Sequence, residues 1–322
     1  MKNLLRRLFG PKTDSNLVKP TDEIAIQPGV SENVGPTADE ISAVVISDLG
    51  NVRQNNEDTG LFVRLADEGL RRLKGYLLLV ADGMGGHLAG EVASQMAAEI
   101  VNREYFQHRE TIEKSLLRAF RLANKQIFNE AQLHSTFRGM GTTCTALVVH
   151  QQQVYFAHVG DSRAYLFKNG QLVQLTEDHT YVRELLKRGE LSEQAAINHP
   201  ERNVLSQAMG TKAEVRVDLG RCVLPFDVGD RLLLCSDGLS EYVGEEDFLR
   251  ILSQESLPEA ADTLVQTAKN RGGHDNITVV LAERTTVGPE TAPRETRELD
   301  LPFTRDVEIS QGLTQPQPWK AD

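Results

Sequence analysis

Carboxylates recur in short, glycine-flanked clusters along the chain: Arg53 with Asn56, Glu57 and Asp58; Asp82 before Gly83-Met84-Gly85-Gly86; Gly160-Asp161-Ser162-Arg163; Ser236-Asp237-Gly238; and His274-Asp275-Asn276, with Thr142-Thr143 behind Gly141. Carboxylates crowded into one pocket repel one another and either take up protons or hold cations between them. The donor set is oxygen alone, with no C-x-x-C pair and no closely spaced histidines. Such a set suits hard cations, Mg2+ or Mn2+. Asp82 and Gly83 are candidates for the centre of that site, because an aspartate can bridge two cations and a glycine lets its carbonyl approach one. A glycine-rich turn from strand to helix is the plainer alternative. Arg53 offers a planar guanidinium able to grip two phosphate oxygens, or else a salt bridge to Glu57 or Asp58 across its own turn.

Rigid elements must hold these side chains. Strand-like apolar runs precede Asp82 (Tyr76 to Ala81), Asp161 (Val154 to Val159) and Asp237 (Leu232 to Cys235), and another follows Asp275 (Ile277 to Leu281). Further strands are predicted at Ser42 to Ser47, Gly60 to Leu65, Thr143 to Val149, Arg163 to Phe167, Gln171 to Leu175 and Glu214 to Leu219. The Asn169-Gly170 pair is a type I′ hairpin signal. Ile112, Leu116, Phe120, Ala123, Ile127 and Ala131 recur at helical spacing, and Ala89 to Phe106 repeats the pattern. A second helix pair is predicted over Glu245 to Gln254 and Pro258 to Asn270, with Pro258 in a first turn. Runs of strands with segregated helix pairs predict an α+β sandwich of two antiparallel sheets with helices on the outer faces. An open parallel nucleotide-binding fold is disfavoured: GMGGHLAG misses the last glycine of G-x-G-x-x-G, and there is no Walker A lysine.

With 322 residues, 40% of them hydrophobic, the chain can bury one large core. A formal charge of −11 argues against a general nucleic-acid binder. Cys144, Cys222 and Cys235 read as buried free thiols, and a reducing cytoplasm is the expected compartment. No run reaches the apolar length of a membrane span, and MKNLLRRLFG lacks a long apolar region and a small-residue cleavage site. Leu4, Leu5, Leu8 and Phe9 with Lys2, Arg6 and Arg7 could form an amphipathic turn at a membrane surface or partner, but a frayed basic terminus is the stronger reading. Residues 11 to 40 read as linker and the proline-rich stretch after Arg284 as a tail.

From about Ile41 to Arg284 the chain resembles the protein phosphatase 2C family, the metal-dependent serine/threonine phosphatases, and its compact bacterial members in particular. The resemblance rests on SDLGNVRQNNED, VADGMGGHLAGE, GMGTTCTALVV, VGDSRAYL, LTEDHTYVRELLKRG, LLLCSDGL and GGHDNITVV, in that order. It implies an αββα four-layer sandwich with a binuclear Mn2+ or Mg2+ centre in a cleft at one end. It also implies hydrolysis of phosphoserine and phosphothreonine in proteins by a hydroxide activated there, without a covalent phosphoenzyme. Asp82 would bridge the two cations, with the Gly83 carbonyl beside it. Asp237 and Asp275 would hold the second, and Glu57 and Asp58 would act through water. Arg53 would bind the substrate phosphate. Asp161 reads equally as a turn residue or as a ligand of a third, weaker ion. Some family members place a histidine directly after the Asp-Gly pair, where this chain has Met84. His87 stands near but could pack or cap, so the proton donor to the leaving group is unassigned.

The segment from Thr176 to Lys212 resembles the family flap and carries Asp178, His179 and His199; the two histidines could contact substrate, cap helices or pack. Phosphorylated proteins, and a serine/threonine kinase acting on the same targets, are the expected partners of a monomer. Thr142 and Thr143 read as strand packing.

Overall fold

The computed structural model describes residues 40–286 apart from His87 and Asn198. The basic N-terminal stretch, the linker, the proline-rich tail and His87 therefore lie outside the described residues.

The chain runs through β1 (Glu40–Asp48), β2 (Asp58–Val63), α1 (Glu68–Lys74), β3 (Tyr76–Met84), α2 (Leu88–Gln107), α3 (Ile112–Leu133), a 3-10 turn (Ser135–Phe137), β4 (Gly141–Thr142), β5 (Cys144–His150), β6 (Gln153–Val159), β7 (Arg163–Lys168) and β8 (Gln171–Gln174). After these come α4 (Tyr181–Lys187), α5 (Glu193–Ile197), β9 (Asp218–Arg221), β10 (Arg231–Cys235), α6 (Asp237–Ser240), α7 (Glu245–Gln254), α8 (Leu257–Asn270) and β11 (Ile277–Thr285). One sheet has the order β1-β11-β10-β7-β8 and the other β2-β3-β5-β6-β9, with β4 added to the end of β3. The strand pairs are antiparallel.

The period of two along each strand builds the layers. In β3, Leu77, Leu79 and Ala81 pack against α2 and α3, while Leu78 and Val80 point the other way into the core between the sheets. In β10, Leu233 and Cys235 face α7 and α8, whereas Leu232 and Leu234 meet that central core. Three stacked apolar layers result, and four layers of backbone enclose them, as the sequence predicts. The three cysteines are buried free thiols, and no helix among the described residues is long and apolar enough to cross a membrane.

The Asn169-Gly170 hairpin has the expected pair of positive φ angles, 51° and 73°. One predicted strand is displaced: Glu214 to Leu219 becomes β9 at Asp218–Arg221. Just before it, the side chain of Asn124, buried on α3, accepts the Gly210 N–H at 2.8 Å and donates to the Lys212 and Ala213 carbonyls at 3.1 Å. These bonds satisfy backbone groups of an irregular stretch that has no sheet partner to do so. The short helix α1 escapes periodicity because its seven residues span two turns; Asp67 caps it by accepting the Leu70 N–H at 2.7 Å.

Candidate metal and phosphate site

The carboxylates converge where β2, β3, β10 and β11 meet at one end of the sandwich. A cleft of about 460 Å³ opens there, lined by Arg53, Glu57, Asp82, Asp161, Asp237 and Asp275 together with the glycine-rich turn after β3.

Asp82 sits near the end of β3, and its backbone is held on both sides. The Asp82 N–H donates to the Thr143 hydroxyl at 2.9 Å, and the Thr143 N–H donates to the Asp82 carbonyl at 2.9 Å. The Thr142 hydroxyl lies 2.9 Å from the same carbonyl. Thr142 and Thr143 therefore fix the strand end that presents Asp82, a role the sequence signalled only by placing two hydroxyls after Gly141. Next in the chain, Gly83 donates to the Glu57 carbonyl at 3.1 Å. A Cβ on Gly83 would collide with the Gly90 backbone of α2, so glycine is required here by close approach. The Glu57 carboxylate in turn lies over Gly90.

Asp237 begins α6, a one-turn helix directly after β10. Its Oδ1 is buried without a hydrogen-bond partner among the described residues, and its side chain shares the cleft with that of Asp82. Asp275 precedes β11 and accepts from the Arg53 guanidinium at 2.7 Å. Arg53 thus pairs across the cleft mouth, rather than with Glu57 or Asp58 along its own turn. Asn276 staples the loop: its Oδ1 accepts the Glu57 N–H at 2.9 Å, and its amide donates to Leu49 and Asn55 carbonyls at 3.2 and 3.0 Å. This asparagine follows Asp275 in sequence, yet its structural work is done on residues more than 200 positions away.

Asp58 stands apart. It is absent from the cleft lining and accepts the Ser236 hydroxyl at 2.7 Å, which places its carboxyl behind Asp237. Asp161 does face the cleft. The Ser162 hydroxyl beside it meets that of Thr143 at 2.8 Å, so the Asp82 and Asp161 turns share one hydroxyl anchor.

The electrostatics follow from crowding. Burial, then repulsion from Asp237 and Asp275 against bonds from Ser236 and Thr278, pushes Asp58 up to about 7. Burial, with Asp275 adding to it, pushes Asp237 up to about 6. Asp82 is raised well above the usual carboxylate range by burial and by Asp58 and Asp237. Asp161 is raised by burial and by Asp237. Positive charge among them would reverse all four shifts.

The residues fit hard divalent cations: the donors are oxygens, and the buried Asp237 Oδ1 has no hydrogen-bond partner among the described residues. Among the described residues no three acidic, histidine or cysteine side chains form a closed cage around one point. An ion such as Mg2+, which keeps several waters, needs one or two carboxylates rather than a cage.

From the flap, Asn203, Val204 and Leu205 line the cleft, residues that carried no chemical signal in the sequence. His179 does not face it: its side chain is fully buried, with Nε2 3.1 Å from Asp218. His199 instead accepts the Glu201 N–H at 3.1 Å, a local turn contact.

The family model for protein phosphatase 2C matches residues 67–281. A serine/threonine phosphatase named stp from Listeria innocua is 43% identical over 244 residues, covering 74% of this chain and 94% of that protein. Among solved structures, the Mycobacterium tuberculosis serine/threonine phosphatase PstP/Ppp is 36% identical with a TM-score of 0.67, covering 76% of this chain and 99% of that one. A structure of the catalytic domain of serine threonine protein phosphatase PstP, in complex with two manganese ions, is 35% identical with a TM-score of 0.65, covering 76% of this chain and 98% of that one.

Proposed function

The chain belongs to the protein phosphatase 2C family, and from this we infer that its acidic cleft hydrolyses phosphoserine and phosphothreonine esters in proteins. The observation that carries the reading is one cleft faced by Asp82, Asp161, Asp237 and Asp275 with Arg53 at its mouth.

Asp82, Asp237 and Asp275, with the Gly83 carbonyl, would hold a pair of Mn2+ or Mg2+ ions. Glu57 would contribute through water from the cleft wall, Asp58 supports Asp237 from behind through Ser236, and Asp161 would serve a third, weaker ion. Bound there, such ions supply the Lewis acidity that makes water nucleophilic near neutral pH. Arg53 turns from Asp275 to the incoming phosphate, offering two parallel donors to its oxygens. Asn203, Val204 and Leu205 close one side of the cleft and meet the polypeptide around the phosphorylated residue.

A covalent route through a thiol finds no support. Cys235 is fully buried, and burial pushes its thiol up to about 12; burial likewise raises Cys144. The Met84 thioether has no proton to give, so Met84 is not the acid for the leaving alkoxide. The names of the bacterial relatives support a protein substrate, and a serine/threonine kinase phosphorylating the same targets is the natural counterpart. Comparing rates on phosphopeptides and on small sugar phosphates tests the substrate class: a preference for sugar phosphates would overturn it.

A further inference from the structure

The turn that presents Asp161 is held by a buried ring that does not itself reach the cleft. His179 Nδ1 accepts the Gly160 N–H at 3.1 Å, and the His179 N–H donates to the Gly160 carbonyl at 2.7 Å. The other ring nitrogen faces Asp218 Oδ2 at 3.1 Å. A carboxylate can only accept there, so Nε2 carries the proton and Nδ1 is left as the acceptor that Gly160 requires.

Gly160 has little freedom to move. Its φ is 113°, and a Cβ would run into Thr143, the residue that anchors Asp82. On the far side of the turn, Arg163 grips both carboxylate oxygens of Asp178 at 2.7 to 3.1 Å. Residues 160–163 are thus clasped between Thr143 and the Asp178-His179 pair. His179 also faces the flap: its carbonyl accepts the Ser206 N–H at 2.8 Å, directly after the three flap residues that line the cleft.

We propose that His179 is a positioning residue, whose ring and backbone set the Gly160-Asp161 turn and link the 203–206 segment of the flap to that carboxylate. Asp218 fixes the ring tautomer. The effect on turnover rests on the reading of Asp161 as a cation-side carboxylate; the positioning itself does not.

Two isosteres separate the ring's contacts. His179→Asn places an amide oxygen where Nδ1 stands and keeps an acceptor for Gly160, whereas His179→Gln reaches the Nε2 position and loses it. Asp218→Ala, at a partly exposed site on edge strand β9, removes the tautomer anchor and carries the test should the glutamine variant fail to fold. In metal-free protein followed by NMR, the Gly160 and Ser206 amides should exchange roughly tenfold faster in His179→Gln and Asp218→Ala, as loss of a buried hydrogen bond implies. They should stay near wild type in His179→Asn. Phosphopeptide turnover with Mn2+ should fall about 10- to 100-fold in the first two variants, with little further loss on adding Asp161→Asn. The proposal is overturned if the asparagine and glutamine variants behave alike, if exchange at Gly160 is unchanged, or if Asp161→Asn itself lowers turnover and the losses add to that drop. Should Asp161→Asn leave turnover and Mn2+ requirement untouched while exchange responds as stated, the positioning stands and the cation role of Asp161 falls.

Discussion

Asp58 and Asp82 stand directly opposite one another in the β2–β3 register. Like charges across a strand pair destabilise it, and here burial adds to the cost because each carboxylate loses water. A fold that keeps this pair, with Asp237 beside it, must relieve the repulsion with protons or with cations.

That arrangement fixes the sign of a pH effect. An acid whose pKa is raised by folding binds more protons folded than unfolded, so its contribution to stability declines as pH climbs from the ordinary value of about 4 towards the folded value. With Asp58 raised to about 7 and Asp237 to about 6, metal-free protein should lose thermal stability across that window. The rise in Tm on adding Mn2+, read by scanning fluorimetry, should therefore be larger near about pH 8 than near about pH 5, where protons compete for the same oxygens. An equal or larger gain in acid contradicts the assignment.

Asp82→Asn separates stability from function. Removing one of the crowded charges should leave the metal-free protein as stable as wild type or more so, by urea titration. Phosphatase activity should fall by about 10²- to 10³-fold, the scale seen when one electrostatic element of a catalytic site is deleted. A variant that is both unstable and active would refute the placement of Asp82 at the site's centre.

Arg53→Lys keeps the charge but loses the planar fork. Hydrogen bonds to charged groups are worth about 1.5 to 3 kcal/mol, so kcat/KM on a phosphopeptide should drop roughly ten- to a hundredfold. Unchanged kinetics would confine Arg53 to its pairing with Asp275.

Much of this was legible in the sequence, and the limits have physical causes. Continuous apolar runs such as Leu77 to Ala81 marked strands buried on both faces, because such runs are a local property of the chain. The order of the acidic motifs gave Asp82, Asp161, Asp237 and Asp275, which the fold brings to one cleft. What escaped were the supporting bonds: Thr143 to Asp82, Asn276 to Glu57, and Asn124 to the 210–213 backbone join residues 61, 219 and 86 to 89 positions apart. Side-chain amides and hydroxyls are generic in sequence and acquire a role only when folding supplies the partner. For the same reason sequence alone leaves His179 open between substrate contact, cap and packing: its burial depends on Gly160 and Asp218, neither of them its neighbour in sequence.

Close approach at the strand end is also measurable. Gly83→Ala would press a methyl into the Gly90 backbone and push β3 away from α2. Overpacking of this kind costs about 1 to 3 kcal/mol, so the urea midpoint should fall with an unchanged slope. A midpoint matching wild type would show that β3 and α2 can part at no cost.

The most direct measurement is phosphate release from a phosphothreonine peptide by the purified chain and by Asp237→Asn, each with Mn2+ and then with excess chelator. Wild type should release phosphate with Mn2+ and stop when the metal is withdrawn, while Asp237→Asn should be slow in both. Release that continues in chelator, or at wild-type rate in Asp237→Asn, would contradict a cation-dependent phosphatase site built on these carboxylates.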